Sequence, residues 1–202
     1  MYIEDDVNKY RDCMTEIKAR IALVKRFTTG ELTLGNESFS YEAVSVNLRK
    51  ILELIAFASL TAHRETYWNK YKTLGDEKSF KPMLQRITTL NPRFYPESLL
   101  PPIRKEGTNH SEYPKNDKPF LTRSELEDLF GICSQTIHAW NPYKTGRTID
   151  FKRPVAEWIT LIEQLLNVHK VQLESGDVLV VTMNSAPDGF VHILYAVPTP
   201  MP

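Results

Sequence analysis

Residues 121–140 read LTRSELEDLFGICSQTIHAW, and the fold turns on how this stretch is divided. Leu126, Leu129, Phe130, Cys133, Ile137 and Trp140 fall on one stripe of an unbroken helix, spaced at three- and four-residue steps. Thr122 and Ser124, followed by Glu125, supply the chemistry of a helix start. In that reading Gly131 is an interior glycine that costs about 1 kcal/mol relative to alanine. The alternative uses Gly131 for a tight turn, which its missing side chain permits. A second, short helix would then carry Thr136, Ile137 and Trp140. Two features favour the unbroken helix. Glu127 stands four residues before Gly131, where two closely packed helices want something small, and Asn141-Pro142 closes the segment early.

The divided reading has a functional meaning. LxxLFGICSQTIHAW resembles the helix-turn-helix segments of many bacterial regulators, in which a glycine precedes a short turn and a recognition helix. In such a segment the first residues of the second helix face the major groove. The resemblance implies that Ser134 and Gln135 hydrogen-bond base edges, with His138 beside them. Arg123, Lys144 and Arg147 are the nearby cations that would meet phosphates, with Lys152 and Arg153 farther on.

Outward from this stretch the chain reads as mainly helical. Ile3, Val7, Tyr10, Met14, Ile17, Ile21 and Val24 alternate at four- and three-residue steps, a seam that helices pack along. Thr28, Thr29 and Gly30 stop that helix. After a polar connector at 31–40, a second helix starts near Tyr41 and runs at least to His63. It is apolar almost all round from Ile51 to Leu60, so it should be the central one. Arg49, Lys50 and Glu53 lie on or beside it and must pair or border a cleft. Phe80, Met83, Leu84, Ile87 and Leu90 predict a short third helix over 80–90, with Ser79 as N-cap. The proline-rich stretch 91–120 predicts a long irregular loop whose second half, 104–118, is mobile. A long final helix is expected from about Arg153, with Val155, Trp158, Ile159, Ile162, Leu165, Leu166 and Leu173 on one side. Ser175-Gly176 breaks it. DVLVVTMN and FVHILYAV around SAPDG predict a β-hairpin. The expected architecture is a bundle of about five helices over residues 1–174, with a C-terminal hairpin over 175–202 packed on the same domain.

Composition narrows the function. The 202 residues carry 25 basic and 25 acidic side chains, a net charge of zero, and 42% are hydrophobic. A dedicated non-specific nucleic-acid binder carries a basic excess, because phosphate contacts supply most of its affinity. Cys13 and Cys133 lack CxxC spacing and nearby paired histidines, so no metal site is expected, and reduced thiols in the cytoplasm are the simpler reading. No apolar run approaches the roughly 20 residues that span a bilayer. There is no P-loop, GxGxxG or nucleophile elbow, and no cofactor is expected.

If residues 121–140 form one helix, a second resemblance appears. LRKILELIAF at 48–57 and CSQTIHAWNPY at 133–143 are similar to the buried arginine-bearing helix and the histidine-bearing segment of the HEPN superfamily. These small helical bundles are common in bacterial toxins and phage-defence proteins. Active members cleave RNA with an arginine four to six residues before a histidine, the pair meeting at a dimer interface. Around the matching place before His138 stand Ile132 and Cys133, with no arginine. The resemblance therefore implies either an inactive bundle or one in which Arg49 reaches His138 from another helix as a metal-independent ribonuclease. The reading preferred is a non-catalytic accessory or defence-type protein that binds RNA or a protein partner. A sequence-specific DNA-binding regulator and a ribonuclease are the alternatives, and a homodimer is compatible with each. Three further features have bland readings. His63-Arg64-Glu65 ends a helix, and YWNKYK at 67–72 packs Tyr67, Trp68 and Tyr71 on one face instead of stacking bases. His169 is expected half-buried on the final helix.

Overall fold

The structure is a computed structural model that describes residues 2–62, 67, 70, 80–104, 106–107, 111–139, 143, 150–173, 175–185 and 188–197. Among these residues the chain forms five helices: α1 (Tyr2–Thr28), α2 (Glu37–Thr61), α3 (Phe80–Leu90), α4 (Arg123–Ile137) and α5 (Val155–Leu166). It also forms six strands: β1 (Glu97–Ser98), β2 (Ile103–Arg104), β3 (Ser111–Glu112), β4 (Val168–Gln172), β5 (Val178–Thr182) and β6 (His192–Ala196). The mainly helical class with a minor β part is the architecture the sequence predicts.

The α1 seam does what its spacing requires. Tyr10, Met14, Ile17, Ile21 and Val24 are all buried, and α1 packs chiefly on α2 and also on α5. Each such apolar side chain contributes roughly 1.5–3 kcal/mol when fully buried. α2 is the central helix and also packs against α3 and α4. It begins four residues earlier than its apolar run suggests, because Asn36 caps it: the side-chain oxygen accepts from the Ser38 N–H at 2.8 Å. Glu53 and Arg49 pair with each other at 3.0 Å, resolving the charge beside a buried helix.

The last helix is shorter than expected. α5 stops at Leu166, where the Asn167 N–H closes the final turn on the Glu163 carbonyl, and residues 168–172 become strand β4. Val168, His169 and Val171 are buried there, and β-branched residues fit a pleated surface better than a helix end. The predicted hairpin is β5–β6, but it is not a separate unit. β4 pairs antiparallel with β5 in register Lys170↔Val180, and β1 pairs antiparallel with β4, so the sheet order is β1-β4-β5-β6. Leu179, Val181, Met183 and Val171 join the helices in one continuous core.

The proline-rich stretch is tied down at both ends. The Asn91 side-chain N–H donates to the Gln172 carbonyl at 2.7 Å. Asn116, buried, donates to Ser98 Oγ at 2.9 Å and accepts from the Lys118 N–H at 3.0 Å. Between these anchors β2 and β3 pair antiparallel.

Candidate functional site

Of the two readings of residues 121–140, the chain adopts the continuous helix. Thr122 caps α4 in a full capping box: its hydroxyl accepts from the Glu125 N–H at 3.3 Å, and Glu125 accepts from the Thr122 N–H at 3.0 Å. The helix then runs unbroken through Gly131 to Ile137, and the bend between Gly131 and Ser134 that a second helix needs is not formed. A side chain at Gly131 would meet nothing within 4 Å, so the glycine serves no close approach. Leu126, Leu129, Ile132, Cys133 and Thr136 bury one stripe, and that burial keeps the helix whole. The placement of Ser134 and Gln135 at the head of a recognition helix is thus corrected. Both sit in the final turns of a single helix.

The sequence-predicted site residues are spread along α4. Arg123, at its start, reaches Glu127 at 3.3 Å and lies over the Phe94 ring at 5.3 Å from its centroid. Ser134 donates its hydroxyl to the Phe130 carbonyl at 2.7 Å, a bond within its own helix. It lies about 16 Å along the axis from Arg123 at 1.5 Å per residue. Gln135 is exposed. His138 is the C-terminal cap of α4, extended in backbone and exposed. Lys144 and Arg147 lie outside the described residues, as do Trp140, His63, Arg64, Glu65, Trp68 and Tyr71. Tyr67 is fully buried, a core residue as its bland reading has it.

Arg49 and His138 are not brought together. The Arg49 guanidinium lies 4.8 Å from the centroid of Phe130, and the Phe130 ring stacks on Phe80 at 3.9 Å and 8°. Its Nε donates to Glu53. Phe130 and His138 are eight residues apart, which is about 12 Å along the helix. Arg49 therefore binds α2, α3 and α4 together through an aromatic stack, a contact in which planar guanidinium is well suited. Two further described cations beside α4 are likewise paired: Lys152 with Asp128 at 3.0 Å and Arg153 with Glu125 at 2.5 Å. Burial works against ionised Glu125, but the Thr122 amide and hydroxyl and Arg153 together hold its carboxyl below the usual range.

The polar group that sequence reading placed least well is His169. It is fully buried in β4, with Nδ1 2.8 Å from the Leu166 carbonyl and Nε2 2.8 Å from the Tyr10 hydroxyl. A carbonyl only accepts, so Nδ1 carries the proton, and Nε2 accepts from Tyr10. Burial pushes the imidazole down to about 4, against the Leu166 carbonyl, and pushes the Tyr10 phenol up. Burial also raises the thiols, Cys13 to about 11 and Cys133 to about 12, so neither is an activated nucleophile.

One surface feature went unread in the sequence. α2 is buried along most of its length, yet Phe39, Val46 and Phe57 are exposed at 56%, 39% and 37%, as is Tyr41 near its start on another side. At 100° per residue the first three fall within about 20° of one line, opposite the buried face and roughly 27 Å long. Lys50 and Glu53 sit between them on the same line. The signal was present as the seven-residue step from 39 to 46, but the surrounding apolar run masked it.

Among the described residues no group of three or more His, Cys, Asp or Glu side chains could hold a metal ion, and no helix is long and apolar enough to cross a membrane. No protein-family model, curated protein or solved structure matches the chain.

Proposed function

We propose that this chain is a non-catalytic binding module of bacterial accessory or defence type, an atypical HEPN-like bundle that engages a partner protein along the exposed line of α2. The carrying observation is that Phe39, Val46 and Phe57 are exposed on one face of the central helix. Apolar side chains held in water at near-heptad spacing fit the apolar face of a partner helix. Lys50 and Glu53 along that line, with Arg49 beside it paired to Glu53, would set the register of such a helix. The pairing of Arg123, Lys152 and Arg153 with their own carboxylates supports a protein partner over RNA, since phosphate binding would have to displace each of them.

The test is a photo-crosslinking residue placed at Val46 or at the exposed Glu16 of α1, in cells. A protein adduct from position 46 alone supports the reading. The isolated partner should then lose at least about tenfold in affinity to the Phe57→Asp variant, as for a buried interface anchor. Adducts to RNA, or equal adducts from both positions, overturn it.

A further inference from the structure

The two edges of the four-stranded sheet are treated differently. At the β1 edge the chain covers itself: Leu99 bridges Lys115, the Leu100 N–H donates to the Pro114 carbonyl at 2.7 Å, and the Asn116 N–H donates to the Ser98 carbonyl at 3.3 Å. Prolines at 96, 101, 102 and 114 surround that edge. Proteins commonly guard sheet edges in this way, with proline, lysine, bulges or a covering loop.

Within β6 itself none of these guards is present, and among the described residues no segment covers its free edge; the nearest prolines, at 198 and 200, lie beyond the strand. From Phe190 to Val197 the chain reads FVHILYAV, with no Lys, Arg, Asp, Glu or Pro. β6 pairs with β5 along its whole length on one side, and no described residue pairs with its other side. His192, Leu194, Tyr195 and Ala196 are exposed, Leu194 at 57%. Two polar side chains of the strand could resist burial, and both are satisfied within their own chain: the Tyr195 hydroxyl donates to Asp177, and His192 Nε2 lies 2.9 Å from Asp188 Oδ2.

The geometry points to β6 as a homodimerisation strand: a second copy of this chain adds its own β6 antiparallel to this one, around a two-fold axis at Leu194, giving a continuous eight-stranded sheet. Self-complementarity selects this occupant. In that register Ile193 faces Tyr195 of the other copy twice, Leu194 faces Leu194, and His192 faces Ala196. The first two are aromatic–β-branched and apolar pairs, and none of the three opposes like charges. A charged or proline-bearing peptide would lose those pairs or a ladder bond. Two-fold pairing of one patch with itself is also the commonest closed assembly. The inference is independent of the α2 surface.

The experiment is analytical ultracentrifugation of the full chain with hydrogen exchange of residues 192–196. The wild type should sediment as two chains, with outward-facing β6 amides protected and that protection falling on dilution. Leu194→Lys and Leu194→Glu each place like charges at the axis, so each variant should sediment as one chain with unchanged circular dichroism. Mixing the two should restore the two-chain species, because opposite charges then meet. Phe57→Asp should leave the dimer intact. A wild type that sediments as one chain overturns the inference. So does a dimer that survives both Leu194 variants, that mixing fails to restore, or that Phe57→Asp dissociates.

Discussion

Tyr10 and His169 share a hydrogen bond with no access to water, and this makes the protein's stability depend on pH at a single residue. The native imidazole is held down to about 4, against an ordinary value of 6.5. The unfolded chain therefore takes up a proton between those values while the folded chain does not. Stability is fully present above about pH 6.5 and falls as pH drops toward 4, by about 3 kcal/mol in total. Urea unfolding followed across that window should show the decline, and a flat profile would mean that His169 is not buried and neutral. Tyr10→Phe removes the donor to Nε2 and should lower stability by about 1–3 kcal/mol at neutral pH. Ser45 is the opposite case. Its hydroxyl is fully buried on α2 with no hydrogen-bond partner among the described residues. Ser45→Ala should raise stability by up to about 1 kcal/mol, since it removes a desolvated polar group and little volume. A loss in thermal melting would show that the hydroxyl has a partner after all.

α4 and α5 show where an element can be read from residues and where it cannot. α4 was legible as one helix because its apolar stripe extends across Gly131 without a break in period, and a stripe of that length outweighs one glycine. Gly131→Ala should therefore stabilise the protein by up to about 1 kcal/mol, because the helix is regular there and the added methyl meets nothing. A turn at that position would make the same change destabilising, so denaturant melts of this variant discriminate between the two backbones. α5 was overextended by seven residues. Leu173 falls at a helical spacing from Leu166, and Val168 and Val171 read equally well as helix or strand over so short a span. What decides is pairing with β5 and β1, contacts that lie outside the segment. The α3 bounds were legible from Phe80 to Leu90 because both periodicity and Asn91-Pro92 agreed. The candidate site was legible only as a set of residue types. Arg49 and His138 were a plausible pair in sequence, but Phe130 captures the arginine two turns short of the histidine.

At the scale of the whole molecule, buried amides hold the irregular stretch 91–120 to the bundle. Asn116 joins β1 to the segment before α4, and its buried side chain bonds to Ser98. Asn116→Ala should cost about 1–3 kcal/mol by leaving those partners unsatisfied, and should expose residues 97–118 to proteolysis before global unfolding. The same division between buried and open shows in the thiols. Cys133 should resist alkylation at neutral pH until the chain unfolds, since burial keeps it protonated; rapid native labelling would contradict that placement. The bond between Tyr10 and His169 also has a consequence for synthesis. It joins residues 159 positions apart. At roughly 5–20 residues added per second, the first helix leaves the ribosome about 10–30 s before its histidine partner is made. α1 can lie against α2 during that interval, but the Tyr10 hydroxyl then has no histidine to accept its hydrogen bond. The N-terminal helix pair is accordingly a provisional structure on the ribosome, and the arrival of β4 converts it into the native core.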